Sequence, residues 1–185
     1  MDRRQRKSRE AIFSSFIKLL SQKSFNQITV ADIIELADVG RATFYAHFET
    51  KDFLLKELCH ELFCHISDLA KEGGSDHRHI FSCETNEPVF LHLLRHLTRN
   101  DNHILELLSG QNNDLFLSYF RSELTKLTAS SLSTFSLGRK KELPEDFLIN
   151  HITCVFVETV SWWIRGKMKQ SPEEIYSYFL LAVEN

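Results

Sequence analysis

The sequence predicts an all-α fold. Three observations carry that prediction. Apolar residues recur at helical spacing almost throughout, no alternating run long enough for a strand stands out, and cap and stop signals punctuate the periodic segments. Composition agrees with a packed domain: of 185 residues, 43% are hydrophobic and 25% charged, a balance that supports a core and argues against global disorder. Six Gly and three Pro exclude a collagen-like or linker-dominated chain.

The first helix is expected over residues 3–22, where Ile12, Phe13, Phe16, Leu19 and Leu20 form one stripe. Thr29-Val30-Ala31-Asp32 then reads as a capping box, with the Thr29 hydroxyl accepting from the Asp32 N–H and the Asp32 carboxylate reaching back. Ile28 and Ile33 occupy the two positions of a hydrophobic staple. Val30, Ile33, Ile34 and Ala37 share one face, so a short helix over 30–37 follows. Asp38-Val39-Gly40 is a turn, with Val39 pointing to the core. A second short helix runs from Arg41 to His47; Phe44 and Phe48 face inward, while Ala42, Thr43 and Ala46 face outward with Tyr45 and His47 on the flanks.

A long helix over 51–72 carries Leu55, Leu58, Leu62, Ile66 and Leu69 and is stopped by Gly73 and Gly74. Residues 73–87 read as a loop. Pro88 opens a helix to about Arg99, and short helices are expected near 102–109 and 112–133. The polar stretch Gly138 to Glu142 leads to Pro144 and a long helix to about Lys169. Ser171-Pro172-Glu173-Glu174 supplies a cap, a first-turn proline and dipole-facing acids for a last helix ending near Glu184.

Charge is uneven. Residues 1–51 sum to +3 and residues 52–185 to −6, within a net charge of −3. A basic head on an acidic body points the head at a polyanion. Arg3, Arg4, Arg6, Lys7 and Arg9 are expected as an arm or first helical turn near phosphates; the alternative is a frayed terminus. The basic N-terminus is followed by no apolar core of a signal peptide, and Ile152 to Ile164 is interrupted by Glu158 and short for a membrane span. A cytoplasmic protein that engages no membrane is the expectation.

Enzyme signatures are missing: there is no Gly-rich phosphate loop, nucleophile elbow or HExxH run. Catalytic residues, cofactors and a bound metal are not expected. Cys59, Cys64, Cys83 and Cys154 form no CxxC pair and read as thiols. His92 and His96 are four apart, as are His60 and Cys64, and His77 and His79 lie in the loop. His92, Arg95, His96 and Arg99 share a face opposite Leu94 and Leu97, which reads as a solvated side and not as ligands.

Two short helices joined by a tight turn make a helix-turn-helix, about residues 29–48, although an ordinary α-hairpin has the same spacing. The small, polar outward side of the second helix suits close approach into a major groove about 12 Å wide. The runs Ile28-Thr29-Val30-Ala31-Asp32-Ile33, Ala37 through Phe48 and Lys51-Asp52-Phe53-Leu54-Leu55 closely resemble the DNA-binding domain of TetR-family transcriptional regulators, with Thr-Phe-Tyr-x-His-Phe-x-x-Lys as the most specific part. The resemblance implies a three-helix DNA-binding head over residues 1–50 and a roughly six-helix effector-binding and dimerisation body over 51–185. It implies a homodimeric regulator of double-stranded operator DNA, most often a repressor released by a small-molecule effector. The alternative is a non-enzymatic co-regulator acting through a protein partner.

Site residues carry over from the resemblance. Thr29 matches a phosphate contact through its cap hydroxyl or backbone N–H. Arg41 matches a base-edge contact, and its chemistry suits guanine or phosphate equally. Ala42 and Thr43 match base or thymine-methyl contacts; Tyr45, His47 and Lys51 match phosphate contacts. Gly40 stands where the family carries a small polar cap, so any contact there lacks a hydroxyl.

In the body, helix 145–168 is apolar around most of its circumference. Leu148, Ile152, Val155 and Trp162 are read as one side and Ile149, Phe156, Val160 and Trp163 as another, with His151, Glu158 and Arg165 as a polar stripe. It is therefore expected to be buried twice, on its own subunit and, with helix 172–184, on a symmetry-related copy; a central helix of a monomer is the alternative. Phe116, Phe120, Phe156 and Trp163 are candidates to line an apolar effector pocket, or else simply core. The run from Leu143 to Val183 looks like the subgroup that includes regulators of dihydroxyacetone-kinase operons.

Overall fold

The computed structural model describes residues 3–69, 87–99, 114–138 and 142–184. Among these residues all regular structure is helical: α1 (Arg3–Leu20), α2 (Val30–Leu36), α3 (Arg41–His47), α4 (Lys51–Leu69), α5 (Val89–Arg99), α6 (Asp114–Ser131), α7 (Glu145–Arg165) and α8 (Pro172–Glu184), with 3-10 turns at Phe25–Gln27 and Leu132–Thr134. The expected Gly73-Gly74 stop, the loop over 73–87 with His77, His79 and Cys83, and the helix near 102–109 lie outside the described residues.

Two aromatic nuclei organise the packing. In the head, α1 lies on α2 and α3. Phe13 meets Phe48 edge-on with ring centroids 5.2 Å apart, and Phe16 meets Phe25 at 6.2 Å. Phe44, Phe48, Ile28 and Ile33 are all buried, as the staple and the inward pair require. In the body, α4 packs on α6, α6 on α7, and α8 covers α5 and α7. There Phe90, Phe156 and Phe179 meet at 5.1–5.2 Å, with Phe135 beside them. Each such ring, fully buried, contributes about 1.5–3 kcal/mol. α4 belongs to both parts: Leu54 and Leu55 are buried near its start, and Phe63 packs on Phe120 at 5.2 Å further along.

Local signals set the helix ends. At α8, Glu174 N–H donates to Ser171 Oγ (3.2 Å) and Ser171 N–H to Glu174 Oε2 (2.8 Å), a full capping box. α7 stops at Arg165, short of the expected Lys169. Lys167 and Met168 take left-handed backbone, φ 60° and 50°, which turns the chain, and Trp163 Nε1 donates to Gln170 O at 3.0 Å across that turn.

The faces of α7 differ from the expected division. Leu148, Ile152, Phe156, Val160 and Trp163 are buried together, so the inward row combines members of both expected sides. Phe147 (54%) and Trp162 (48%) are exposed instead. The helix of 21 residues is also long and apolar enough, by length and composition, to cross a bilayer, which the interrupted 152–164 run did not suggest. Its inward row is spent on the protein core.

The polar face of α5 is the clearest correction. His92 and His96 are 4% and 8% exposed, so this side is not solvated. Both rings tuck against His65 of α4. Arg95 stays at the edge, bridging Glu87 (2.7 Å) and Glu173 (2.9 Å). A histidine counted as polar in a periodicity plot still carries a ring that buries well when its nitrogens are engaged.

Candidate nucleic-acid interface

The start of α2 is tied down by one carboxylate. Asp32 Oδ2 accepts from the Thr29 N–H and the Thr29 hydroxyl, both at 2.7 Å, and lies 2.8 Å from Lys23 Nζ. Asp32 N–H in turn donates to Thr29 Oγ1 at 3.1 Å. Lys23, then the two Thr29 donors, hold the Asp32 carboxyl far below the usual carboxylate range. The expected capping box is present, and it occupies both Thr29 groups that the resemblance assigns to phosphate.

The turn into α3 uses Asp38 at φ 50°, a left-handed conformation that aspartate tolerates. Val39 packs against the core, and its N–H donates to Ile34 O at 3.1 Å. Gly40 caps α3 with ordinary extended backbone, φ −71° and ψ 152°, and no side-chain bond. A Cβ there meets nothing nearer than Thr43 Oγ1 at 3.8 Å, so glycine is not conformationally required.

α3 divides sharply. Phe44 and Phe48 are buried; Arg41, Ala42, Tyr45 and Ala46 are exposed; Thr43 is half-buried. Tyr45 stands 49% exposed with its ring edge against Phe44, centroids 5.5 Å apart, so packing fixes its direction while its outer end meets solvent. Ala42, Thr43 and Ala46 thus lie on the side away from the Phe44–Phe48 pair, with Tyr45 on its flank and Arg41 exposed at the first turn.

The flanking residues are more constrained than the sequence suggests. His47 is half-buried, and its Nε2 lies 2.7 Å from Ser8 Oγ. Burial, and after it the Arg9 charge, push the His47 imidazole below its ordinary value, which favours the neutral ring. Lys51 Nζ donates to Phe25 O and Ile28 O, each at 2.8 Å, and sits 4.2 Å from the Phe25 ring centroid. Its ammonium joins α4 to the turn before α2.

The basic arm is helical from Arg3, and it divides too. Arg3, Arg4, Arg6 and Lys7 are exposed. Arg9 is not an arm residue: its guanidinium pairs with Glu61 at 2.7 Å and Glu57 at 3.3 Å and covers the Phe13 ring. Ser8 and the Arg9–Glu61 pair carry no local sequence signal, because their partners lie 39 and 52 positions away.

The four candidate pocket residues are all buried. Phe120 lines a cleft of about 180 Å³ with Leu117, Arg121, Val157 and Ile164. Phe116 packs on Phe120, Phe156 sits in the Phe90–Phe179 cluster, and Trp163 holds the α7 turn.

A basic-tipped helix-turn-helix on a helical body is the arrangement of a DNA-binding regulator, and known proteins share it. Residues 12–58 match the model of bacterial regulatory proteins of the tetR family, and residues 84–185 match a transcriptional regulator C-terminal region of the same family. The chain belongs to the TetR family of transcriptional regulators, whose head is a DNA-binding helix-turn-helix. A TetR transcriptional regulator from Streptococcus agalactiae 2603V is 37% identical, with 100% of this chain and 97% of that one covered and a TM-score of 0.75. The dihydroxyacetone kinase operon activator DhaS is 22% identical, with 95% and 93% covered and a TM-score of 0.61; it shares the fold. The HTH-type transcriptional regulator YxbF of Bacillus subtilis (strain 168) is 35% identical over 72 residues, 36% of this chain and 19% of that protein. The chain spans between 19% and 32% of the length of the curated relatives it matches.

Proposed function

We propose that the protein is a homodimeric repressor that places α3 in the major groove of an operator and leaves it when a small-molecule effector binds. The observation that carries this reading is the division of α3. Phe44 and Phe48 anchor it, while Arg41, Ala42, Tyr45 and Ala46 are exposed and Thr43 is half-buried between them. Arg41 takes a guanine edge or a phosphate, Ala42 and Thr43 the floor of the groove, and Tyr45 a phosphate. Gly40 brings backbone close to the duplex. His47, neutral and bonded to Ser8, offers a hydrogen bond to phosphate instead of charge. At Thr29 and Lys51, where side-chain donors are already engaged, the phosphate contacts fall to the helix starts that these residues build.

Dimerisation through α7 and α8 is supported by the large apolar side chains they leave exposed: Phe147, Trp162, Tyr178 and Leu181, the last at 59%. Trp162 and Tyr178 border an apolar groove of about 540 Å³ with Val155 and Thr159. Such a patch on neighbouring helices matches the isologous surface of a two-fold interface. For the effector we favour the α4–α6 groove of about 410 Å³, lined by Phe63, His60, Cys64 and Glu123 on one side of the Phe63–Phe120 contact. That volume lies in the usual range for small-molecule sites, and α4 leads from it to Lys51.

The test is a gel shift with genomic fragments flanking the gene. A discrete complex is expected, with log K falling by about 0.9 per log unit of salt for each phosphate neutralised. Salt-independent binding, or no complex with any fragment, contradicts the reading.

A further inference from the structure

We propose that His65, His92 and His96 form a site for a zinc-class divalent transition metal between α4 and α5. The three rings are buried, and one ligand atom from each lies within 4.8 Å of the other two. His92 and His96 are one turn apart on α5, with their Nε2 atoms 3.1 Å from each other. His65 approaches from α4, its ring centroid 5.0 Å from that of His96 and 5.6 Å from that of His92.

The spacing fits the chemistry. A tetrahedral ion with nitrogen ligands at about 2.0–2.1 Å separates those ligands by about 3.3–3.4 Å. The α5 pair, now in hydrogen-bond contact at 3.1 Å, opens by about 0.2–0.3 Å to reach it. Drawing the third ring in requires at most about 1.5 Å from the 4.8 Å limit, a side-chain adjustment.

A second observation points the same way. Glu87 Oε1 lies 2.8 Å from His92 Nδ1, and Arg95 forms an ion pair with the other carboxylate oxygen at 2.7 Å. A carboxylate accepts, so Nδ1 carries the proton and Nε2 presents its lone pair to the cluster. A carboxylate behind a ligating histidine is the usual outer partner of a metal site; it orients the ring and raises its basicity. Imidazole donors suit Zn(II), Ni(II), Cu(II) and Co(II) over Mg(II) or Ca(II), and the three histidines are the ligand set found among the described residues. The sequence points away from metal because the α5 face looks solvated; its burial against α4 reverses that reading.

The test uses the full chain, stripped with chelator, and needs no DNA, so its outcome is separate from that of the repressor reading. Zn(II) is titrated against a chromophoric chelator, and Co(II) is added as a spectroscopic probe. One equivalent per chain is expected, with tetrahedral or five-coordinate ligand-field bands and no thiolate charge-transfer band. His92→Gln and His96→Gln are expected to weaken binding at least 100-fold and Glu87→Gln 10- to 100-fold, while Cys64→Ser leaves it unchanged. Circular dichroism confirms folding of each variant, and the wild-type cobalt spectrum stands if one fails to fold. No stoichiometric binding, a thiolate band, or binding that survives both histidine substitutions overturns the proposal.

Discussion

At the scale of single residues, the head is governed by groups with two possible partners and room for one. Asp32 is the clearest. It gathers Lys23 and both Thr29 donors, and its carboxyl is held far below the ordinary range. A depressed carboxylate contributes stability that is present above its unfolded pKa and is lost as pH falls toward the folded value. Asp32→Asn should therefore destabilise the head fully between pH 5 and 8, with the gap to wild type shrinking below about pH 4, where the unfolded carboxyl takes its proton. Denaturant titrations at pH 7, 5 and 3 check this; a gap that grows in acid contradicts it. His47 follows the same logic with a ring. Burial and the Arg9 charge lower its pKa, so its nuclear magnetic resonance titration midpoint should lie below about 6.5, the value of an unperturbed histidine. A midpoint at or above that value removes the neutral-ring argument.

These residues also show what a linear chain discloses. The Thr29–Asp32 box and the Ser171 cap were legible because both partners lie within one turn; that Glu174 closes a second box was not expected. The inward placement of Phe44 and Phe48 was legible because helical geometry alone decides it. Ser8–His47, Arg9–Glu61 and the Lys51 bonds to Phe25 and Ile28 were not, since each depends on how helices cross. The candidate DNA-facing residues of α3 were therefore readable, while the atoms that hold them were hidden. His65 joins His92 and His96 only after α4 meets α5, so periodicity misassigned that face.

At the scale of elements, α4 is the member that connects head to body. Its Lys51 end is bonded to the turn before α2, and Glu57 and Glu61, about two and three turns later, hold Arg9 of α1. Lys51→Met removes two charge-assisted bonds to backbone carbonyls, each of a class that contributes about 1.5–3 kcal/mol. Burial of the ammonium, which pushes the Lys51 pKa down, offsets part of that, so the variant is expected to lower head stability by on the order of 2 kcal/mol and to weaken DNA binding as a consequence. Thermal denaturation and a gel shift on the same sample check it; weakened binding with unchanged stability shows instead that Lys51 acts directly on phosphate.

At the scale of the whole molecule, the inward row of α7 is buried in the core, while α7 and α8 both leave large apolar side chains exposed. Leu148, Ile152, Phe156, Val160 and Trp163 are buried in the core, whereas Phe147, Trp162, Tyr178 and Leu181 are exposed. Trp162→Glu should leave the fold intact and convert dimers to monomers in size-exclusion chromatography with light scattering. By contrast, Phe156→Ala should cost about 3–5 kcal/mol of fold stability because it opens the aromatic cluster. Loss of folding in Trp162→Glu, or a wild type that is already monomeric at high concentration, contradicts the two-row assignment.

Whether α3 is the surface that meets DNA is tested most directly by the operator affinity of Arg41→Ala, measured by fluorescence anisotropy beside wild type. Arg41 is exposed, and no hydrogen bond or ion pair ties its side chain to the head among the described residues, so circular dichroism, melting temperature and oligomeric state should be unchanged. Binding should weaken by about 1–3 kcal/mol, roughly 5- to 150-fold, if it grips a base edge. An unchanged affinity for the same operator contradicts the placement of α3 in the groove.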